Sequence, residues 1–355
     1  VRHDTRMTTD RRWNGWGSPA VESALPPRAG EMLLEVVGDG TPPVDASLEQ
    51  VAGAVAPSRI APDRGLSVDA ADRVRHARGQ DVSDWIALRS GRLPAVPDAV
   101  ARPGDAIAVR SLLERASMEG WTLIPFGGGT SVVGGVTVAP SERPVVSVDL
   151  GGLAGLHAIV ARDGLASLGA GTLGPDVEAA LQAHGRTLGH FPQSFEFASL
   201  GGWVATRSAG QQSMGFGRIE ALFAGGHMET PVGPLDLPPF PASAAGPDLR
   251  EVVLGSEGRF GILTDVTVRT VIRPDRDIVR AYSVPDWDRA LELGRTLAGS
   301  RLPLTMVRVS TPAETATALA MIADDRLVRY GTVDGVGPEA SEPPPHGAAA
   351  IPRQV

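Results

Sequence analysis

Three consecutive glycines, Gly127, Gly128 and Gly129, follow an apolar run at 121–126 and lead into two hydroxyl residues, Thr130 and Ser131. Without Cβ atoms, such a stretch can turn several main-chain N–H groups toward one anion, and the hydroxyls add donors. The familiar phosphate fingerprints do not fit. A dinucleotide loop needs glycine where Val132 stands, and a P-loop needs a lysine, which the chain lacks altogether. A tight strand-to-strand turn uses the same glycines, so the triplet alone leaves both readings open. Further on, residues 188–210 mix glycine, small hydroxyl residues and Arg207 without a helical or strand period. That mixture suits a loop wrapped around a large ligand, although Ser199, Thr206 and Ser208 read equally well as turn hydroxyls.

Composition narrows the chemistry. The chain has 355 residues, a net charge of −8 and no basic cluster, which argues against a nucleic-acid partner. With no cysteine there is no disulfide, no thiolate metal site, no cysteine nucleophile and no sulfur-linked cofactor. With no lysine there is no Schiff base, so all 33 basic residues are arginine. No metal site is expected. No apolar run has the length of a membrane span, and a cytoplasmic setting is the default expectation.

The elements that must position these residues read as α+β. Residues 1–60, rich in proline, glycine and alanine, suggest an extension with little regular structure, in which Trp13 and Trp16 could dock as a strap. A short helical piece is expected within 69–91. Val109, Leu112, Leu113 and Ala116 recur at helical spacing after Asp105 and before Gly120, which predicts a helix over 104–119. Strands are expected at 121–126, 145–149, 157–160 and 165–170, and a helix from Pro175 to Gly185. A hairpin at 219–238 turns at Pro231, Val232 and Gly233. A helix from Asp248 ends at Gly255, and a strand follows through Val266 and Val268. The pattern then changes to strand 278–284, helix 286–299, strand 304–309 and helix 312–323, the opening of a second lobe. Residues 331–355 carry proline runs and no apolar period, so disorder is expected there.

Four segments in this order resemble the flavoproteins of the vanillyl-alcohol oxidase and p-cresol methylhydroxylase (PCMH) superfamily, and most of all their alkyldihydroxyacetonephosphate synthase branch and its bacterial FAD-linked oxidase relatives. They are PFGGGTS at 125–131, QSFEFAS at 193–199, GGWVATRSAG at 201–210 and GSEGRFGILTD at 255–265; RWNGWG at 12–17 and DRVRHARG at 72–79 are similar to the family's N-terminal region. The resemblance implies a two-subdomain PCMH-type FAD-binding domain followed by the start of a ferredoxin-like α+β cap. Its parts are an N-terminal extension with a short helix at 1–92, the FAD-binding domain at 93–275, a partial cap at 276–330 and a tail at 331–355.

It further implies a non-covalent FAD. Pro125, Phe126, Gly127, Gly128, Gly129, Thr130 and Ser131 would hold its diphosphate. Gln193, Ser194, Phe195, Glu196, Phe197, Ala198, Ser199, Thr206, Arg207, Ser208 and Ala209 would line the flavin and ribityl chain. Glu257, Gly258, Arg259, Phe260, Gly261, Ile262 and Leu263 would close over the adenine. Arg207 is assigned to the flavin N1–O2 edge or the phosphates. His190 stands where the family also has a histidine, catalytic or packed, and Arg308 matches a family arginine on the cap.

Three departures stand out. Gln193 replaces the family's usual aspartate, Arg259 and Phe260 replace a Thr-Leu pair, and the end of the chain lacks the family's later tyrosine, histidine run and arginine. It reads as a premature ending. For full-length relatives the implied chemistry is exchange of an acyl for an alkyl group on dihydroxyacetone phosphate through a flavin N5 adduct. The alternatives are oxidation of a 2-hydroxy acid or alcohol, and a catalytically incomplete FAD-binding fragment. The expected partner is a small or lipid-like molecule, with a homodimer left open.

Overall fold

A computed structural model describes residues 11–20, 24–41, 44–242 and 244–321, so the tail 331–355 lies outside the described residues. Strands β1 (Leu66–Ser67), β2 (Ala99–Ala101), β3 (Thr122–Phe126) and β4 (Val145–Asp149) form a sheet in the order β1-β2-β4-β3. β2 and β3 both run parallel to β4, and β1 is an antiparallel edge. All five residues of β4 are buried, as befits an apolar strand inside a parallel group. Helix α1 (Ala70–Arg75) precedes the sheet's centre. Helix α2 (Ala106–Glu119) begins where the Asp105 carboxylate accepts the Ala108 N–H at 2.7 Å, and ends at Gly120. Its buried Val109 packs with Val148, Leu150, Leu153 and Ile262, so one helical stripe covers the sheet.

The remaining strands are β5 (Leu156–Val160), β6 (Leu165–Gly169), β7 (Arg186–Thr187), β8 (Phe223–Thr230), β9 (Gly233–Leu237), β10 (Ile262–Arg269) and β11 (Val271–Ile272). Five of them make the second sheet, antiparallel and ordered β5-β6-β10-β8-β9, while β11 pairs with β7 in a small third sheet. Val266 and Val268 alternate onto the buried face of β10, where they join Leu168, Leu181, Trp203 and Phe223 in the largest apolar cluster. Helix α3 (Gly174–Gln182) carries Pro175 in its first turn and contributes Val177 and Leu181 to that cluster.

Several expectations change. Residues 188–210 are not wholly irregular, because helix α4 (Leu200–Ala205) forms within them. Ser199 caps it by accepting the Gly202 N–H at 3.2 Å, and buried Leu200, Trp203 and Val204 outweigh the weak helix propensity of the two glycines. The first 60 residues hold helices at Pro27–Val37 and Leu48–Ala54, the second started by a Ser47–Gln50 capping box. The helical piece within 69–91 is two helices, α1 and Val82–Ser90. Residues 278–284 and 304–309 are not strands: their apolar character is suggestive, yet neither run pairs with another strand among the described residues.

The described residues up to Pro19, Val44–Val279 and Pro303–Met306 form one compact unit, which contains all three sheets. Ala20–Pro43, Arg280–Leu302 and the described residues from Val307 onward form another. In the latter, Pro312–Ala320 packs on Pro27–Val37, and Ala29 and Ala290 are its buried apolar side chains among the described residues. Among the described residues no helix is long and apolar enough to cross a membrane.

Candidate functional site

The glycine loop leaves the C-terminal end of β3, where open α/β sheets commonly bind ligands. Gly129 sits in the left-handed region at φ 62°, and a Cβ on Gly128 would overlap the Phe197 carbonyl oxygen. The loop therefore meets 197–199 backbone to backbone, with the Ser199 hydroxyl filling the space beside Gly127. Among the described residues, the main-chain N–H groups of Gly128, Gly129, Thr130 and Ser131 donate no hydrogen bond. The Ser131 Oγ accepts from the Gly135 and Val133 N–H groups at 3.1 and 3.4 Å, which leaves its own proton free to donate. Four unpaired amides and a hydroxyl on one short turn fit a dianionic diphosphate without any lysine.

Two buried supports stand behind the loop. Phe126 packs on the His76 ring at 4.7 Å between centroids. His76 Nδ1 donates to the Asp72 carbonyl at 2.8 Å, and its Nε2 lies 3.3 Å from Asp149 Oδ2. Arg102 grips both Asp72 oxygens at 2.6 and 2.9 Å and reaches Asp149 at 3.1 Å. Burial alone would lower the His76 pKa, but its bonds to Asp149 and Asp72 lift it to about 9. The same bonds overcome burial at Asp72 and Asp149 and hold both carboxyls below their usual range. The second support is the Gln80 N–H, which donates to the Ser131 carbonyl at 2.7 Å. Fully buried Asp84 steadies that segment by accepting from the Gly79 N–H at 3.0 Å and the Thr137 hydroxyl at 3.1 Å.

On the opposite side, 194–198 is a turn in which the Ser194 carbonyl accepts the Phe197 and Ala198 N–H groups at 3.0 and 2.8 Å. Phe195 stacks on Trp203 at 6.2 Å, while Gln193 is exposed. His190 is fully buried, with Nε2 2.8 Å from the Ser208 Oγ and its ring edge-on to Trp203 at 5.0 Å. Its Nδ1 is sealed without a partner, and burial pushes its pKa down to about 4 against the pull of Glu220. The segment leading to it is pinned by buried Glu178, which accepts the Leu188 and Gly189 N–H groups, both at 3.0 Å, and the Thr187 hydroxyl at 2.7 Å.

The third expected segment joins this assembly through Gly258, whose Cβ would lie 3.0 Å from the Pro125 ring. Glu257 has a left-handed backbone, φ 54°, and its carboxylate lies against Gly135; burial raises its pKa, with Arg259 opposing. The structure thus brings together 125–131, 197–199 and 257–258. Other expected residues are engaged differently. Thr206 donates to the Gly202 carbonyl at 2.9 Å, and Arg207 pairs with Glu251 at 2.8 Å. Ala209, Arg259 and Phe260 are exposed, and Ile262 and Leu263 are core residues of β10. Arg308 belongs to the other compact unit, where it pairs with Glu314.

Sequence reasoning missed His76, Asp72, Asp149, Arg102, Glu178 and Arg11. Asp72 and His76 carry a readable signal, a carboxylate and an imidazole four apart on one helix face. Arg11 adjoins the RWNGWG segment; its guanidinium donates to the Gly128 carbonyl, and Trp16 packs edge-on to Phe197 at 5.0 Å.

Residues 97–235 match a family described as FAD binding domain. The chain is 33% identical to alkyldihydroxyacetonephosphate synthase of Dictyostelium discoideum, over 73% of its own length and 42% of that protein. It is 27% identical to the enzyme of the same name from Trypanosoma brucei brucei, over 92% and 59%. A solved structure of alkyldihydroxyacetonephosphate synthase superposes with a TM-score of 0.77 at 26% identity, over 91% of this chain and 65% of that one. The chain therefore spans less than two thirds of each of these relatives.

Proposed function

The chain carries an FAD binding domain over residues 97–235, and from that premise we propose that it holds a non-covalent FAD on the glycine loop, as the cofactor-binding part of an alkyldihydroxyacetonephosphate synthase-type flavoenzyme. The observation that carries the reading is the set of unpaired N–H groups from Gly128 to Ser131 in backbone contact with 197–199. When bound, the flavin supplies the reactive centre for group exchange on dihydroxyacetone phosphate. The protein's share is binding and orientation.

The loop amides and the Ser131 hydroxyl meet the diphosphate charge. Residues 193–199 line the flavin side and 257–258 the adenine side, within an FAD-binding domain at 93–275. The neutral His190 keeps the lining loop in position through Ser208 and Trp203 and carries no charge there. A partial cap begun at 276, which carries Arg308, is a further part of the same proposal.

The test is the near-ultraviolet and visible spectrum of the purified protein, before and after acid precipitation. Flavin bands released into the supernatant are expected. A folded protein that stays colourless and neither acquires bands nor quenches the fluorescence of added FAD overturns the reading. Bleaching of bound flavin by a 2-hydroxy acid or alcohol would move the assignment from exchange to oxidation.

A further inference from the structure

Arg11 is a largely buried cation without an anion. Its guanidinium lies over the Phe197 ring at 5.0 Å and the Trp16 ring at 5.8 Å, and it donates through Nη1 to the Gly128 carbonyl. Its Nη2 is sealed from solvent and has no hydrogen-bond partner, and no ion pair reaches Arg11 among the described residues. Burial lowers its pKa to about 10, which still leaves it charged near neutral pH. A desolvated guanidinium with idle donors destabilises a fold unless something else compensates it. The two aromatic faces offset part of that cost and leave the donors of Nη2 unused.

The location says what would use them. Gly128 is the middle of the glycine triplet, and the N–H groups from Gly128 to Ser131 are unpaired as well. Idle main-chain donors and an idle guanidinium nitrogen therefore share one small region, on a chain with no lysine to serve instead. A planar guanidinium matches phosphate oxygens in charge and in donor spacing.

We propose that Arg11 is a cofactor-binding residue whose Nη2 donates to the diphosphate of bound FAD, and that the segment from Arg11 to Trp16 is a strap fastened across that diphosphate. The assignment rests on the FAD reading above. It adds a fixed positive charge to a cradle otherwise made of backbone dipoles, and it explains why an arginine, rather than an apolar residue, lies between Trp16 and Phe197.

The test is FAD titration of the deflavinated 355-residue chain, followed by flavin fluorescence, for the parent, Arg11→Gln and Arg11→Lys, together with thermal melting of each apo-protein. Arg11→Gln should weaken FAD binding at least about tenfold, the lower end of the range for one lost charge-assisted hydrogen bond, and Arg11→Lys should recover part of that loss. Apo Arg11→Gln should melt no lower than the parent, because it removes an uncompensated charge. A smaller loss of affinity overturns the assignment. So does a lower apo melting temperature, which would make Arg11 a structural anchor of the strap. Failure of the parent itself to bind FAD is a separate result, and it removes the FAD reading instead.

Discussion

Two histidines stand on opposite sides of the candidate site, His76 at 1% and His190 at 0% exposure, yet their protonation states are opposite. His76 supports the glycine loop from among Asp72, Asp149 and Arg102 and is charged; His190 supports the facing loop from beside Trp203 and Ser208 and is neutral. Equal burial therefore does not decide charge. The number of carboxylates within hydrogen-bond reach does, because each offsets the desolvation that both rings suffer. One wall of the site is held by a charge ladder and the other by neutral packing, and the two respond to different perturbations.

The largest effect should come from breaking the ladder. Asp149→Ala leaves the His76 charge without one of its buried partners and should cost about 3 kcal/mol in chemical denaturation. A cost near that of a surface substitution would mean that the ladder is incidental to holding His76. Next is the seam where the walls meet: Gly128→Ala places a methyl group on the Phe197 carbonyl oxygen and should cost about 1–3 kcal/mol, with loss of FAD binding in the same titration.

The pH dependence should separate the walls by sign. The His76 pKa is raised from 6.5 to about 9 in the fold, so its contribution to stability is complete below 6.5 and is lost as pH rises through about 9. The His190 pKa is lowered from 6.5 to about 4, so its contribution is complete above 6.5 and is lost as pH falls through about 4. Imidazole NMR titrations should place the two resonances on those opposite sides; coincident midpoints would dissolve the contrast. The smallest effect is Ser208→Ala, about 1 kcal/mol by thermal melting, from the one hydrogen bond of the His190 ring.

The loops of this site were legible because they are local. Gly127 to Gly129, Ser131 and the 193–199 segment advertise turns and donors within a few residues, and Asp105 and Gly120 bracket a helix by capping chemistry that any window contains. The His76–Asp149 contact joins residues 73 apart, and nothing in either neighbourhood announces the other. Arg11 is farther still, 117 residues from the carbonyl it bonds. Helix α4 was hidden because its glycines lower local propensity while its stability comes from packing of Trp203 and Leu200. The strands expected at 278–284 and 304–309 failed for the converse reason: apolar residues satisfy the pattern, whereas a strand exists only with a partner.

The antiparallel pairing of β6 with β10 also has a consequence for the order of assembly. At its far end the Thr270 hydroxyl bonds the Gly164 carbonyl, a contact 106 residues apart along the chain. Closing so long an excursion loses more chain entropy than the short-range parallel contacts of β2, β3 and β4. The glycine loop can therefore be shaped while its facing wall is still waiting for β10 to arrive. A chain caught at that stage would carry half a cradle, and the cofactor would find both walls only after the last strand of the second sheet had docked.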